Sequence, residues 1–409
     1  MNFDAVVVGG GPVGSTVAEA IAKDGYDVLI LEEHPQIGLP QHCTGKISVN
    51  ASKELGLPEI GALQEVRGAI FYSPDMNFLK VERKETKAHI FDRVILDKRL
   101  LERAVDAGAA LLTTAQAVNV TVDGRCVNIL FKHEGELRHL ASRVVISADG
   151  ASAPLARLLG MYSKKRNMLR IAVQREMTGL RNLEPELVEL YLGRQYAPGF
   201  FAWIVPTGKD SAKVGLCVEP SQSKHLLNYM EKFIGGHPIA CKKLREGSCV
   251  GQRVHIIPTG GTLRQTVSEG ILIVGDAAGQ VKSTTGGGLY YGMVCAKIAG
   301  RVVSKALSSG KDLLLKEDLA EYQSLWQERL GREIAMNAKT RLLLDSLTDE
   351  ELNYLFQIIR GDEALINLIE TEGDIDWQFK LSKSVFKHVI NALARRPQLL
   401  LKLGTFIIK

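Results

Sequence analysis

The sequence predicts an α/β fold: a parallel-sheet nucleotide-binding domain, an inserted α+β domain with an antiparallel sheet, and a helical C-terminal region. Three observations predict it. A valine-rich strand, a glycine-rich turn, a helix and a second strand follow one another within residues 3–31. A second buried strand, ending in Gly-Asp, occupies residues 270–276. Between them, over residues 165–260, the pattern changes to short alternating strands separated by turns.

Residues 3–8 are an apolar run of the kind buried on both faces of a parallel sheet. Gly9-Gly10-Gly11-Pro12-Val13-Gly14 follows and sets the GxGxxG spacing at Gly9, Gly11 and Gly14. An alanine-rich helix is expected from about Gly14 to Lys23, with Gly25 ending it and the next strand at 26–31. This is a complete Rossmann-type βαβ unit. Gly9 allows the tight turn, Gly11 lets the backbone approach a pyrophosphate, and Gly14 lets helix and strand pack closely. The helix start, with Val13 in its first turn, offers unpaired N–H groups and a positive dipole end to phosphates. Glu32 stands at the end of the second strand, 18 residues after Gly14, where its carboxylate accepts ribose hydroxyls. Glu33 reads as a solvated neighbour. By itself the motif admits either NAD or FAD.

Residues 270–274 form another buried strand and run into Gly275-Asp276-Ala277-Ala278-Gly279. A carboxylate at the tip of such a strand bonds a ribityl hydroxyl, and its small neighbours leave room for the chain. Thr284-Thr285-Gly286-Gly287-Gly288-Leu289 then precedes a helix over about 290–307. The glycines permit backbone conformations closed to other residues and let a flat ring approach. Gly292, Ala296 and Gly300 recur at helical spacing, a stripe suited to close packing against the nucleotide domain.

The inserted region shows strand-like alternation at 169–177, 187–192, 201–205 and 212–218. Phe201 and Trp203 fall on one face of a strand. From 317 to 347 the apolar spacing is helical, and further helices are expected at 350–359, 362–370 and 381–403. The last is basic and apolar, with Lys383, Lys387, Arg395, Arg396 and Lys402, and is split by Pro397. It suits a peripheral membrane contact or a helical cap.

Composition narrows the function classes. The 409 residues are 45% apolar and 24% charged with a formal charge of +5, an ordinary globular balance without the dense basic block of a nucleic-acid binder. The six cysteines are scattered without a CxxC pair, so no metal centre is expected. No signal peptide and no run of about 18 apolar residues is read, which predicts a cytoplasmic protein without a membrane span.

The Gly275-Asp276 motif, the strand and turn Arg143-Val144-Val145-Ile146-Ser147-Ala148-Asp149-Gly150 with Arg157 downstream, and Arg93-x-x-x-Asp97-x-x-Leu100 together resemble the flavoprotein group that contains p-hydroxybenzoate hydroxylase. The last segment opens an amphipathic helix to about Ala107. The resemblance implies FAD as cofactor, with Asp276 on the ribityl chain, Arg93 near the flavin or its phosphates, and Ala117, Gly275, Gly287, Gly288 and Leu289 among the cofactor contacts. It also implies that the helix after the glycines faces the flavin N1–C2=O edge.

Two further segments resemble the geranylgeranyl reductase family. Pro198-Gly199-Phe200-Phe201-Ala202-Trp203-Ile204-Val205-Pro206 is similar to its PxxYxWxFP motif, with Phe201 in place of tyrosine and Val205 in place of phenylalanine. Gly38-Leu39-Pro40-Gln41-His42-Cys43-Thr44-Gly45-Lys46-Ile47-Ser48 resembles its cysteine-bearing segment. The resemblance implies that Cys43, Thr44 and Lys46 line the flavin and that Phe201 and Trp203 face a polyene chain. Cys43 and Cys295 then approach one flavin, either as a redox-active or gating disulfide or as two reduced thiols, Cys295 packing as a small apolar residue. His42 is a further candidate for proton relay. The catalytic candidates are Cys43, Phe201, Trp203 and Cys295.

The implied activity is FAD-dependent saturation of isoprenoid C=C bonds, on a geranylgeranyl lipid or diphosphate, with electrons from ferredoxin, a quinol or NAD(P)H. A flavin monooxygenase or halogenase shares the same elements, and a non-catalytic electron-transfer flavoprotein is the other alternative. The expected limits are 1–160 with 260–310 for the FAD-binding domain, 161–259 for the substrate domain and 311–409 for the helical region.

Overall fold

The computed structural model describes residues 2–57, 60–162 and 169–379, together with 381, 384, 385, 388, 396, 399 and 402. It divides into two units, one of Met1–Gln41, Arg93–Asn167 and Pro258–Ala335, the other of His42–Asp92, Met168–Ile257 and Met336–Lys409.

The first unit is built on a sheet whose central strand is Asn2–Val8. It pairs in parallel with Val28–Leu31 on one side and with Glu136–Ser147 on the other. Ile271–Ile273 adds in parallel beyond Glu136–Ser147, and Ala110–Leu112 adds in parallel beyond Val28–Leu31. Ala5, Val6, Val7 and Val8 are all buried, which explains why this strand is continuously apolar rather than alternating. An antiparallel hairpin of Ala115–Val122 and Val127–His133 extends the long strand Glu136–Ser147. The helix Pro12–Lys23 lies between Leu289–Leu307 and Arg93–Asp106. The small-residue stripe acts as expected: a Cβ on Gly300 would stand 2.4 Å from the Ala20 Cβ, and one on Gly292 2.7 Å from Val13 Cγ2.

The second unit holds a mixed sheet in the order Ser248–Pro258, Leu169–Thr178, Ala212–Val218, Ala202–Pro206, Leu187–Tyr191, Gly68–Tyr72, Phe78–Glu82. The strands Leu169–Thr178, Ala212–Val218, Ala202–Pro206 and Leu187–Tyr191 pair antiparallel as expected, and Leu187–Tyr191 adds one parallel pairing, with Gly68–Tyr72. One face carries Ile204, Val214, Leu216 and Val173 and packs with Met230 and Phe233 of the helix Leu226–Gly236. The opposite face carries Trp203, Val205, Cys217 and Ala172, clustered with Val66, Ala88 and Ile90 of a small three-stranded sheet.

The domain limits differ from the sequence expectation at two points. Residues 42–92 group with the second unit, because their strands hydrogen-bond into its sheets. Residues 311–335 group with the first unit, where Lys316–Trp326 packs on Leu289–Leu307. The C-terminal region is helical as expected, and the division between the two units falls inside its helix Arg332–Ser346. The expected basic helix at 381–403 lies largely outside the described residues.

Candidate functional site

The first unit presents a cradle at the carboxyl end of its central strand. Gly9 turns the chain with φ +106°, and a Cβ there would stand 2.4 Å from the Ala148 carbonyl oxygen. A Cβ on Gly14 would stand 1.9 Å from the Gly9 carbonyl oxygen. Packing alone therefore demands both glycines. Gly11 is different: it is the N-cap of Pro12–Lys23, and a Cβ there would meet no protein atom within 4 Å. What it leaves clear is the approach to the helix start, where the Val13 and Gly14 N–H groups lack intrahelical acceptors. That is the shape and polarity a pyrophosphate needs.

Glu32 is buried beside this turn. Its Oε2 accepts the Gly10 N–H at 2.8 Å and its Oε1 accepts the His34 N–H at 2.9 Å. The acid is thus anchored to the glycine turn and keeps lone pairs for a ribose. Glu33 takes the Gln116 side chain at the exposed edge.

Asp276 sits in the short turn Gly275–Ala278 after the strand Ile271–Ile273. Two residues missed in the sequence hold this turn. Gln280 Oε1 accepts the Gly275 N–H at 2.7 Å, Gln280 Nε2 donates to the Tyr322 hydroxyl at 2.9 Å, and that hydroxyl donates to the Ile273 carbonyl at 3.2 Å. Their only sequence signal is polarity inside an otherwise apolar stretch. A Cβ on Gly288 would stand 2.3 Å from Asp276 Oδ1, and one on Gly287 2.8 Å from Lys282 Cε. The glycine loop therefore wraps its own carboxylate and lysine before Leu289 opens the helix.

Arg93 is not a loose surface arginine: Nε and Nη2 each bond Asp97 at 2.8 Å. Ala117 is half-buried in the hairpin strand opposite Phe131. Asp149 takes a structural part. Its carboxylate accepts the Ser147 hydroxyl at 2.6 Å and the Leu155 N–H at 3.0 Å, and burial raises its pKa. Arg157 stacks on Tyr162, 4.8 Å from the ring centre.

Cys43 and Cys295 are both free thiols and belong to different units. Cys295 is fully buried near Tyr322, and burial pushes its thiol far above the usual range. It packs as a small apolar side chain.

The second unit brings the other candidates onto the sheet face opposite the helix Leu226–Gly236. Trp203 and Gly215 are directly paired across strands, and Gly215 pairs in turn with Gln174. Phe201 stacks on Phe200 at 4.4 Å and meets Trp203 edge-on at 6.0 Å. The cysteine segment is clamped to this face. Lys213, 3% exposed, donates through Nζ to the carbonyls of Cys43 at 3.3 Å and Thr44 at 3.2 Å. Gln174 Nε2 donates to the Cys43 carbonyl at 3.4 Å. Gly45 (φ +77°) lets the segment press on Phe91, and Lys46 begins the strand Lys46–Ser48. His42 lies 5.1 Å, ring to ring, from His255, whose pKa burial lowers to about 3. Nothing in the sequence marks Lys213 and Gln174, since a charged or polar residue in a strand ordinarily faces water.

Residues 169–251, which carry this face, match the geranylgeranyl reductase catalytic domain, and residues 7–43 match an NAD(P)-binding Rossmann-like domain. The digeranylgeranylglycerophospholipid reductase of Methanocaldococcus jannaschii is 34% identical over 360 residues, spanning 87% of this chain and 90% of that protein. The chain belongs to the geranylgeranyl reductase family. A geranylgeranyl bacteriochlorophyll reductase-like protein from Thermoplasma acidophilum shares its structure with a TM-score of 0.84 at 26% identity, over 99% of both chains. The flavin-dependent brominase Bmp2 shares the fold alone, with a TM-score of 0.72 at 18% identity over 97% of this chain and 100% of that one. In this reductase-family chain the dinucleotide of the cradle is FAD.

Proposed function

We propose that this protein is an FAD-dependent reductase that saturates C=C bonds of geranylgeranyl chains carried by membrane lipids or their precursors. The observation that carries the reading is the Trp203–Gly215 pair: a large indole laid over a glycine on an apolar sheet face, within the segment that matches the catalytic domain. Once reduced by the electron donor, bound FAD would supply a hydride to one carbon of the double bond, and a proton from the reduced flavin or a bound water would go to the other. Gly9, Gly11, Val13 and Gly14 would receive its pyrophosphate, Glu32 its ribose and Asp276 its ribityl chain, with Arg93, Ala117, Gly287, Gly288 and Leu289 as the remaining contacts. Phe201 and Trp203 align a polyene and keep water from it. Cys43, Thr44 and Lys46 are the cofactor-contact candidates of the second unit, on a segment held in place by Lys213 and Gln174.

Electrons reach this site from an external donor such as ferredoxin, a quinol or NAD(P)H. No described helix is long and apolar enough to cross a membrane. The test is anaerobic incubation of the FAD-loaded protein with dithionite and geranylgeranyl lipids, followed by mass spectrometry. Product masses rising in steps of two hydrogens are expected. Substrate-stimulated oxygen uptake without any such gain would assign the flavin to oxygen chemistry instead.

A further inference from the structure

In the second unit, two buried arginines converge on one carboxylate. Arg170, at the start of Leu169–Thr178, is 5% exposed; Arg341, on the helix Arg332–Ser346, is 4% exposed. Arg170 Nη2 meets Asp345 Oδ2 at 2.5 Å, while Arg341 reaches Asp345 Oδ1 through Nε at 2.9 Å and Nη2 at 2.8 Å. Arg170 Nε donates to the Gly199 carbonyl at 3.2 Å. The Nη1 group of each guanidinium donates to no described residue.

The charges do not balance. Two guanidinium groups share a single carboxylate, and among the described residues no second carboxylate pairs with either. Glu219, packed beside Gly199, is not within ion-pair distance of them. The carbonyls at the end of the arginine-bearing helix do not offset the excess, because Arg194 takes the Asp345 and Leu347 carbonyls at 3.0 and 3.1 Å. Burial lowers the Arg341 pKa, Asp345 pulls it back and Arg170 lowers it again. A buried excess of positive charge is unfavourable unless an anion completes it. The site also adjoins the aromatic motif: the Arg341 guanidinium lies 5.0 Å over the Phe200 ring, and Phe200 stacks on Phe201.

We propose that Arg170 and Arg341 form an anion subsite that takes the phosphate ester of a phosphorylated isoprenoid, with Phe200 and Phe201 beginning the path of its chain. This rests on the reductase reading above and adds which side chains of this protein take the phosphate and where the chain path begins. The planar donor forks suit phosphate oxygens, and Asp345 holds both forks in orientation.

The test uses the FAD-loaded protein, with flavin content and Tm as folding controls. Saturation kinetics are compared for geranylgeraniol, geranylgeranyl diphosphate and a geranylgeranyl glycerol phosphate ether. The wild type is expected to favour the phosphorylated substrates in KM by about tenfold or more, and Arg341→Gln to collapse that preference. Asp345→Asn, which increases the excess charge, is expected to tighten it. The phosphorylated substrate with the lower KM identifies diphosphate or lipid headgroup as the source. An equal KM for alcohol and phosphates in the wild type, or an unchanged preference in a folded Arg341→Gln, overturns the proposal. Calorimetry with inorganic pyrophosphate separates this outcome from failure of the reductase reading. Millimolar or tighter binding that Arg341→Gln weakens supports the subsite even if no chain is reduced. Absence of binding to the wild type sinks it whatever the reductase assay shows.

Discussion

The indole of Trp203 lies across Gly215 on the neighbouring strand: a Cβ on that glycine would stand 2.3 Å from Trp203 Cζ2 and 2.8 Å from Nε1. Neither residue has freedom to move alone. Gly215→Ala must push the ring off the sheet face, at a stability cost of about 1–3 kcal/mol. Turnover on long prenyl substrates is expected to fall while FAD remains bound. Retained turnover together with a lowered Tm would show that the ring position serves packing alone.

Trp203→Phe keeps an aromatic ring and removes part of the area over Gly215. It should fold, hold FAD, and lose turnover most on the longest chains. An equal loss on short and long prenyl substrates would separate Trp203 from chain alignment.

The cradle glycines should fail in different ways. Gly14→Ala drives a Cβ into the Gly9 carbonyl and should lower both Tm and flavin content. Gly11→Ala meets no protein atom, so apo-protein stability should barely change while FAD affinity drops. Fluorescence titration of FAD against thermal melts of the apo-protein reads the two effects apart. A Gly11→Ala variant that binds FAD normally would remove Gly11 from the pyrophosphate site.

Lys213 anchors the cysteine segment from beneath. Lys213→Met leaves the Cys43 carbonyl with the long Gln174 bond and the Thr44 carbonyl without the ammonium. Amide exchange at 43–46 and alkylation of Cys43, followed by peptide mass spectrometry, should both rise several-fold. Unchanged exchange would mean that the segment is held by its own turn at Gly45.

His237 gives a pH prediction. It is buried, its Nδ1 accepts the Ile239 and Ala240 N–H groups, and burial lowers its pKa from 6.5 to about 4. The unfolded chain therefore binds a proton near pH 6.5 that the folded chain refuses until about pH 4. This contribution is complete above pH 6.5 and is lost as pH falls toward 4. Tm should decline over that window, and His237→Asn should flatten the decline. Asp149, whose pKa is raised by burial, works in the opposite sense and is left in place by the variant.

Much of this protein could be read in one dimension because its chemistry is local there. The spacing of Gly9, Gly11 and Gly14, the acid at Glu32 and the strand ending at Gly275-Asp276 each follow from backbone geometry within a few residues, and the sequence alone determined the cradle. The aromatic alternation at Phe201 and Trp203 was equally legible, because strand period two assigns them one face. Residues 42–92 were not legible, because their partners are far away in the chain: Gly68 pairs beside Leu187, and Ser48 beside Ala88. The same distance hid Lys213, Gln280 and Tyr322. A buried polar side chain is informative only once its partner is known, and the partners of these three are carbonyls, an amide and a hydroxyl brought up by other strands and helices. The sequence determined which ligand the protein could hold. Only tertiary structure decided what clamps the cysteine segment and which arginines share a carboxylate, since hydrogen bonds and charge balance depend on distance in space rather than position in the chain.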